Sequence, residues 1–286
     1  MTDIIFDDRA CALGEGPLWH PLRKQLFWFD IVNARMLTRT KDGPQSWQFD
    51  EEHSAAGWID ADTLLLASAS GLWRFSLGDG SRRLLTPLER DNAVTRSNDG
   101  RTDPWGGFWI GSMGRNSETG AGSIYRFYQG QLRQLFKGIT VSNAICFAPN
   151  RQFAYYTDTL TQQVMRVPLD RAGWPGGPSE VLIDSTAERL YPDGAVVDAA
   201  GHIWVAQWGA SRVAEHDSNG KFLRAIDVPA RHSSCPEFGG PELSDLYVTS
   251  ARMGLAEDVI KAQSTNGMTF CIRDVAKGLP AYQVLL

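Results

Sequence analysis

The sequence predicts an all-β fold, a six-bladed β-propeller with four-stranded antiparallel blades and a central metal-binding channel. Three observations support this prediction. Six short β-prone runs recur along the chain, a turn precedes each run, and the spacing between the units is nearly constant. We expect residues 1–286 to form a single propeller domain.

The six runs are the expected second strands of the blades. They are residues 27–29, 64–66, 108–110, 155–157, 203–205 and 246–248. An alternating run follows in most units, as at residues 72–75, and a weaker fourth run follows that, as at 132–135. Four short strands per unit are typical of a propeller blade.

The ends of the chain must close the ring. A solenoid is the competing repeat architecture, but it needs polar caps at its open ends, whereas six blades can close on themselves. We expect residues 4–6 to form the outer strand of the last blade, beside residues 269–272. The C-terminal residues 282–286 could compete for the same edge.

Composition excludes several classes of partner. The 28 Lys and Arg residues face 33 Asp and Glu residues, for a net charge of −5, and no basic block suits nucleic acid. The N-terminus lacks the features of a signal peptide, and no apolar run approaches the ~20 residues that span a bilayer. Four scattered cysteines without a CxxC pair suggest reduced thiols. We therefore expect a cytoplasmic protein away from membranes, as a monomer or weak homodimer.

Aligning the turns gives one equivalent position at the head of each first strand. The six positions are Glu15, Ala55, Asn98, Asn143, Asp193 and Cys235. Their intervals of 40, 43, 45, 50 and 42 residues match the ~40 to 50 residues of propeller blades. First strands line the channel of a propeller, so these side chains should converge on one axis.

Four of the six positions carry side-chain oxygen. Taken singly, each is more often a turn or channel-lining residue that bonds backbone amides or water. The occurrence of all four at the same position of their repeats favours a metal site. Two carboxylates that face each other repel without a cation, and a metal ion removes this repulsion. Oxygen donors suit Ca²⁺, Mg²⁺ or Mn²⁺, and Zn²⁺ stays open.

Five segments in register resemble the senescence marker protein / gluconolactonase / regucalcin-like family. They are Gly14-Glu-Gly-Pro-Leu-Trp19, Arg96-Ser-Asn-Asp-Gly-Arg-Thr-Asp-Pro104, Val141-Ser-Asn143, Tyr191-Pro-Asp-Gly194, and Phe238-Gly-Gly240 with Leu246-Tyr-Val-Thr-Ser250. The resemblance runs through essentially the whole chain. It implies a six-bladed propeller that binds one divalent metal and hydrolyses a sugar lactone.

The resemblance also implies roles for individual residues. Glu15, Asn143 and Asp193 would be the metal ligands, and Arg96 and Asn98 would bind the substrate. The sequence departs from the pattern of this family at two positions. Ala144 replaces a common glycine after the Asn143 ligand, which should leave that ligand unaffected. Asn116 lies about where animal members carry a substrate-contacting Glu, so we expect it to bind substrate.

Lactone hydrolysis needs a cation near the developing oxyanion and a base for water. The metal would act as Lewis acid and Asp193 as general base, although a metal-bound hydroxide is the alternative nucleophile. A non-enzymatic calcium-binding or interaction propeller and a metal-dependent aryl or phosphate esterase are the competing functions. The dispersed histidines and Cys235 are expected to be non-catalytic.

Overall fold

The computed structural model describes residues 4–286, and these fold into six four-stranded antiparallel sheets in a ring. The sequence prediction of a six-bladed β-propeller is confirmed. The second strand of each blade contains one of the six recurring runs of the sequence. After its N-terminal strand, the chain builds one blade after another, with the innermost strand first.

Within each blade the strands follow one another in order from the channel to the outer rim. Blade one comprises β2 (Gly14–His20), β3 (Gln25–Asp30), β4 (Arg35–Thr40) and β5 (Gly43–Gln48). Blade two comprises β6 (His53–Asp60), β7 (Thr63–Ser68), β8 (Gly71–Ser76) and β9 (Arg82–Pro87). Blade three comprises β10 (Thr95–Thr102), β11 (Phe108–Gly114), β12 (Gly122–Tyr128) and β13 (Gln131–Ile139).

The remaining blades follow the same order. Blade four comprises β14 (Ser142–Phe147), β15 (Phe153–Asp158), β16 (Gln163–Pro168) and β17 (Glu180–Asp184). Blade five comprises β18 (Tyr191–Val197), β19 (Ile203–Trp208), β20 (Arg212–His216) and β21 (Phe222–Asp227). Blade six comprises β22 (His232–Gly239), β23 (Asp245–Ala251), β24 (Thr269–Ile272) and β1 (Ile5–Asp7). A 3-10 turn (Thr159–Thr161) and helix α1 (Glu257–Ala262) lie in the connections.

The N-terminal strand closes the ring, as the sequence predicts. Strand β1 pairs antiparallel with β24, with Ile5 opposite Phe270. The competing residues 282–286 are not part of any strand. Instead, the amides of Val284 and Leu285 donate to the carbonyls of Trp58 (2.8 Å) and Gly106 (2.9 Å). The C-terminus therefore crosses the turn end of blades two and three as a strap.

Six hydrophobic clusters hold the ring together, one between each pair of neighbouring blades. Trp28, Trp109 and Trp204 lie in second strands and are fully buried. The Trp109 ring packs edge-on against Phe147 of the next blade, with centroids 5.3 Å apart. Burial of such large aromatic surfaces is a major term in stability. The three tryptophans therefore belong to clusters that join neighbouring blades.

Every innermost strand is interrupted by a β-bulge near its first end. The register shifts just after Glu15, His53, Ser97, Asn143, Pro192 and Ser233. Bulges re-aim side chains and are common beside functional sites. The six equivalent positions that the sequence repeats define therefore lie within two residues of these bulges.

No helix among the described residues is long and apolar enough to cross a bilayer.

Candidate metal and substrate site

One cavity at the bulged end of the channel collects five of the six predicted site residues. Its volume is about 370 Å³. Its floor residues are all at most 8% exposed. They are Glu15, Arg96, Asn98, Asn143 and Asp193. Residues that are up to 178 positions apart in the chain, from Glu15 to Asp193, thus face one space.

The residue after Glu15 must be a glycine, because the backbone there has no room for a side chain. The following residue, Gly16, has φ +55, and a Cβ there would lie 2.1 Å from the carbonyl oxygen of Ser54. Glycine is the residue that tolerates both the conformation and the close approach. The Gly16 amide donates to Glu15 Oε2 at 3.0 Å. This bulge turns the Glu15 carboxylate into the channel.

The two carboxylates of the floor are in electrostatic conflict. Burial and the nearby Asp99 raise the pKa of Glu15 to about 8. Burial, followed by the charges of Glu15 and Asp99, raises the pKa of Asp193 well above its ordinary value. Within residues 4–286, no side chain donates a hydrogen bond to either carboxylate. Their oxygens are available to a cation.

The two asparagines are oriented by a chain of hydrogen bonds. Asn98 Nδ2 donates to Asn143 Oδ1 at 3.0 Å, and Asn143 Nδ2 donates to Thr159 Oγ1 at 2.9 Å. The Thr159 hydroxyl then donates to the carbonyl of Pro192 at 2.8 Å. This chain fixes the amide oxygen of Asn143 as the acceptor facing Asn98.

Arg96 brings a buried positive charge to the floor. Its Nη1 donates to Asn98 Oδ1 and to the Ser97 carbonyl, both at 2.8 Å. Burial lowers the pKa of Arg96 to about 10, so the guanidinium stays charged near neutrality. Its remaining donors can bind substrate oxygens.

A second polar layer lies directly beneath the floor, and the repeat analysis missed it. Arg101 Nη1 contacts Glu237 Oε2 at 2.5 Å, and Arg101 Nη2 donates to the Ala195 carbonyl at 3.1 Å. Asp99 Oδ2 accepts from the Ile145 amide at 2.7 Å. Asp99 and Arg101 stand in the segment Arg96-Ser-Asn-Asp-Gly-Arg101, and their alternation along an innermost strand was the signal available.

Charge balance supports a divalent ion. The floor and the layer beneath it hold four buried carboxylates, on Glu15, Asp193, Asp99 and Glu237, against the two guanidinium groups of Arg96 and Arg101. When all six groups are ionised, the net charge is −2. Buried charges require compensation. An ion of charge +2 among Glu15, Asn143 and Asp193 would supply it, and these oxygen donors suit such an ion.

The mouth of the cavity is apolar in contrast to its floor. The side chains of Leu160, Tyr191 and Met253 are 53%, 40% and 43% exposed there. Trp208 stands opposite Tyr191 on the neighbouring strand. Asp158 Oδ1 accepts from the amides of both Val141 and Leu160, which fixes this part of the wall.

Asn116 lies outside the set of residues that line the cavity. It is exposed on the loop after β11, and its Nδ2 donates to Glu118 Oε1 at 3.0 Å. Its neighbour Ser117 lines the cavity instead. Substrate binding by Asn116 stays a prediction.

Other groups with metal-binding or nucleophilic chemistry have structural explanations. Asp198, His202 and Glu215 bring ligand-type atoms within 4.8 Å of one another. However, Asp198 accepts from two backbone amides and the Trp204 indole. His202 contacts Glu215 at 2.7 Å. Cys235 is buried, and burial raises the pKa of its thiol well above the ordinary value, which fits an inert thiol.

Similarity to known proteins extends over nearly the whole chain. A pentonolactonase of Haloferax volcanii is 34% identical over 88% of this chain and 86% of its own length. A 6-deoxy-6-sulfogluconolactonase of Pseudomonas putida is 32% identical, covering 92% of this chain and 91% of its own.

A solved structure shares the fold closely. It is a calcium-binding protein, regucalcin, from Agrobacterium tumefaciens, with 39% identity and a TM-score of 0.97 over 99% of this chain and 97% of that one. The family model of the SMP-30/Gluconolactonase/LRE-like region matches residues 13–252. The chain belongs to the SMP-30/gluconolactonase/LRE-like family.

Proposed function

We propose that this protein hydrolyses a sugar lactone to the aldonic acid, using one divalent metal ion held by Glu15, Asn143 and Asp193. The observation that carries the proposal is the pair of buried carboxylates, Glu15 and Asp193, at the floor of an open cavity, where no side chain within residues 4–286 donates a hydrogen bond to either of them. The lactonases among the relatives support the reaction class, a carboxylic-ester hydrolysis. The calcium-binding regucalcin supports a divalent ion, whose identity among Ca²⁺, Zn²⁺, Mg²⁺ and Mn²⁺ is open.

Each residue of the floor has a separate role in the proposed reaction. When bound, the ion supplies Lewis-acid stabilisation of negative charge on the lactone oxygen. Arg96 orients the lactone by donating to its oxygens. Asn98 accepts from a lactone hydroxyl through Oδ1, because both hydrogens of its amide nitrogen already bond the Ser142 carbonyl and Asn143 Oδ1. Asp193 accepts a proton from the attacking water, and that proton passes to the ring oxygen as the ester bond breaks. Asp193 can do so because it faces the cavity without a side-chain donor within residues 4–286.

The proposal is tested by metal removal combined with substitution of the base. The purified protein is stripped with EDTA, reloaded with each of the four ions, and assayed on glucono-, galactono-, xylono- and arabinono-lactones. We expect activity to fall to the spontaneous rate after stripping and to return with at least one ion. Asp193→Asn should reduce kcat by at least ~10²-fold, because it removes the proton acceptor.

Asp42→Asn is the matched control, since Asp42 is exposed on a turn of blade one. It should leave kcat unchanged, and circular dichroism should show that both variants fold. Lactone hydrolysis that survives both EDTA and Asp193→Asn would contradict the proposal. Metal binding without hydrolysis of any lactone would favour a binding propeller, and hydrolysis of aryl or phosphate esters alone would favour an esterase.

A further inference from the structure

The innermost strands carry the proposed metal ligands, but within residues 4–286 no backbone ladder joins one innermost strand to another. The six sheets are separate, and each ladder runs outward within its own blade. Asn143 lies on β14 and Asp193 on β18, so the distance between these two ligands depends on side-chain bonds between the blades. Ligands that are not held before the ion arrives must be ordered on binding, which lowers the affinity.

Side chains of β10 hold β14 on both sides of its ligand. Before the ligand, Asn98 Nδ2 donates to the Ser142 carbonyl at 2.9 Å. Beyond the ligand, Ile145 is held through both of its backbone groups. Its amide donates to Asp99 Oδ2 at 2.7 Å, and its carbonyl accepts from Arg101 Nε at 3.2 Å. These bonds fix the position of β14 relative to β10.

The Arg101 guanidinium also holds β18 and β22. Its Nη2 donates to the Ala195 carbonyl at 3.1 Å, two residues beyond Asp193. Its Nη1 contacts Glu237 Oε2 at 2.5 Å. The guanidinium is planar, and its N–H groups point in fixed directions. One rigid group therefore sets the positions of three other innermost strands at once.

The two ligand strands are held in the same way. The carbonyl before the β14 ligand, that of Ser142, accepts from Asn98. The carbonyl before the β18 ligand, that of Pro192, accepts from Thr159. On both strands, the carbonyl two residues beyond the ligand accepts from Arg101. No other side chain within residues 4–286 donates to both strands, so Arg101 is the link between them beneath the floor.

The charge of Arg101 does not explain its place in the channel. Its side chain is 19% exposed and is paired with Glu237, whose side chain is 2% exposed. A positive charge beneath a cation site opposes binding of the cation. The contacts of the guanidinium, rather than its charge, therefore favour the ion.

We propose that Arg101 is a positioning residue for the metal ligands. Its guanidinium fixes the separation of Asn143 and Asp193 across the channel, and it thereby raises the affinity of the site for a divalent ion. Loss of such an outer partner typically costs about 10- to 100-fold in metal affinity. The inference rests on the proposed function, because it concerns the metal site of that function, and it adds a residue outside the proposed ligand set.

Two variants separate the contacts of Arg101 from its charge. Arg101→Met removes a positive charge, so electrostatics alone would lower the Kd of a cation. The double variant Arg101→Met/Glu237→Met removes one charge of each sign, and it should keep the fold because apolar residues often replace a buried ion pair without loss of stability. If positioning dominates, the Kd should rise in both variants, by at least ~10-fold in the double variant.

The readout is metal binding, measured without any substrate. Each EDTA-stripped protein is titrated in a calorimeter with Ca²⁺, Mg²⁺, Mn²⁺ and Zn²⁺ separately, and the ion that the wild type binds most tightly is used for the comparison. The Tm of each stripped protein reports stability separately. A purely structural role would lower the Tm of Arg101→Met, restore it in the double variant, and leave the Kd of the double variant unchanged.

Arg39→Met is the matched control. The Arg39 side chain is 35% exposed and is paired with the buried carboxylate of Asp7, but it lies on β4, the third strand of blade one. This variant also leaves a buried carboxylate without a guanidinium partner, and it should leave the Kd within about twofold of the wild-type value because no ligand strand is released.

Two results would overturn the inference. One is a Kd of the double variant within about threefold of the wild-type value, and the other is a lower Kd in Arg101→Met. If Arg101→Met does not fold, the double variant decides alone. In these cases the wild type still binds its ion, so the proposed function stands. A wild-type protein that binds none of the four ions would overturn the proposed metal site, and the inference with it.

Discussion

Ala144 follows the proposed ligand Asn143 in the left-handed region of backbone conformation, with φ 54. Gly16 has the same conformation after Glu15, with φ 55. The two bulges therefore solve the same problem, which is to turn a ligand into the channel. An L-residue with a Cβ is strained in this conformation by about 1–2 kcal/mol. The expectation that Ala144 leaves the ligand unaffected is compatible with this geometry, but the residue carries a cost in stability.

Ala144→Gly should stabilise the protein. Glycine removes the strain of the positive φ, and its greater freedom in the unfolded chain offsets part of that gain. We expect the free energy of unfolding to rise by about 0.5–1 kcal/mol, measured by urea denaturation of the metal-stripped protein. Ala154→Gly is the control, because Ala154 is equally buried in β15 without a positive φ. It should lower stability, and a loss of stability in both variants would contradict the strain argument.

Residue-level prediction worked where one position per blade carried the chemistry. Glu15, Asn98, Asn143 and Asp193 line one cavity because they occupy equivalent positions of the innermost strands. Arg96 lines it from the same strand as Asn98, and it was predicted from the family resemblance alone. The sequence repeats did not predict Asp99, Arg101 and Glu237, because the bulges change which side chains of an innermost strand face the axis. The position of Asn116 depends on a loop whose path no repeat determines.

At the scale of elements, the three-residue strand β1 closes the ring with little pairing surface of its own. Asp7 compensates for this short pairing. It is 1% exposed, and it accepts from Arg9 Nε at 2.8 Å and Arg39 Nε at 3.1 Å. Arg39 belongs to β4 of blade one, and Arg9 also donates to the carbonyl of Thr38. One buried carboxylate thus joins blade six to blade one.

Asp7→Asn should weaken this closure. The amide keeps the size of the side chain but leaves two guanidinium groups without their counter-charge, so we expect a loss of about 2 kcal/mol in the free energy of unfolding. Asp8→Asn provides the comparison, because the Asp8 side chain is 77% exposed and lies 4.0 Å from Arg39. Its effect should stay within about 0.5 kcal/mol. Equal effects of the two substitutions would show that burial of Asp7 contributes nothing to closure.

The closing strand was predictable from the sequence because the last unit lacks a fourth run of its own. The C-terminal residues 282–286 remained a competitor for the same edge, since a short apolar run fits a strand or a strap equally well. The structure resolves the choice through packing. Val284 is 2% exposed within the cluster between blades two and three, where an edge strand of blade six could not reach.

For the molecule as a whole, the strap covers part of the lower end of the channel. Trp58 Nε1 donates to the carbonyl of Ala281 at 2.8 Å, and Gln283 Nε2 donates to the carbonyl of Ile59 at 2.6 Å. Above the strap lies a small cavity of about 50 Å³, lined among others by Arg101, Glu237 and Cys146. The strap therefore covers part of the ion pair beneath the proposed metal site, in which the Glu237 side chain is 2% and the Arg101 side chain 19% exposed. A channel open at both ends would screen those charges.

Deletion of residues 279–286 should open this end of the channel. We expect a lower Tm, because the buried Val284 and the backbone bonds of the strap are lost, and a new reactivity of the Cys146 thiol. In the full chain all four cysteines are buried, so a thiol reagent should react slowly under native conditions. The truncated protein should react at least ~10-fold faster at one thiol, and Cys146→Ala in the truncated chain should remove that reaction. Fast labelling that persists in the double variant would mean that the truncation loosens the blades generally, and labelling at the rate of the full chain would show that the strap does not seal the channel.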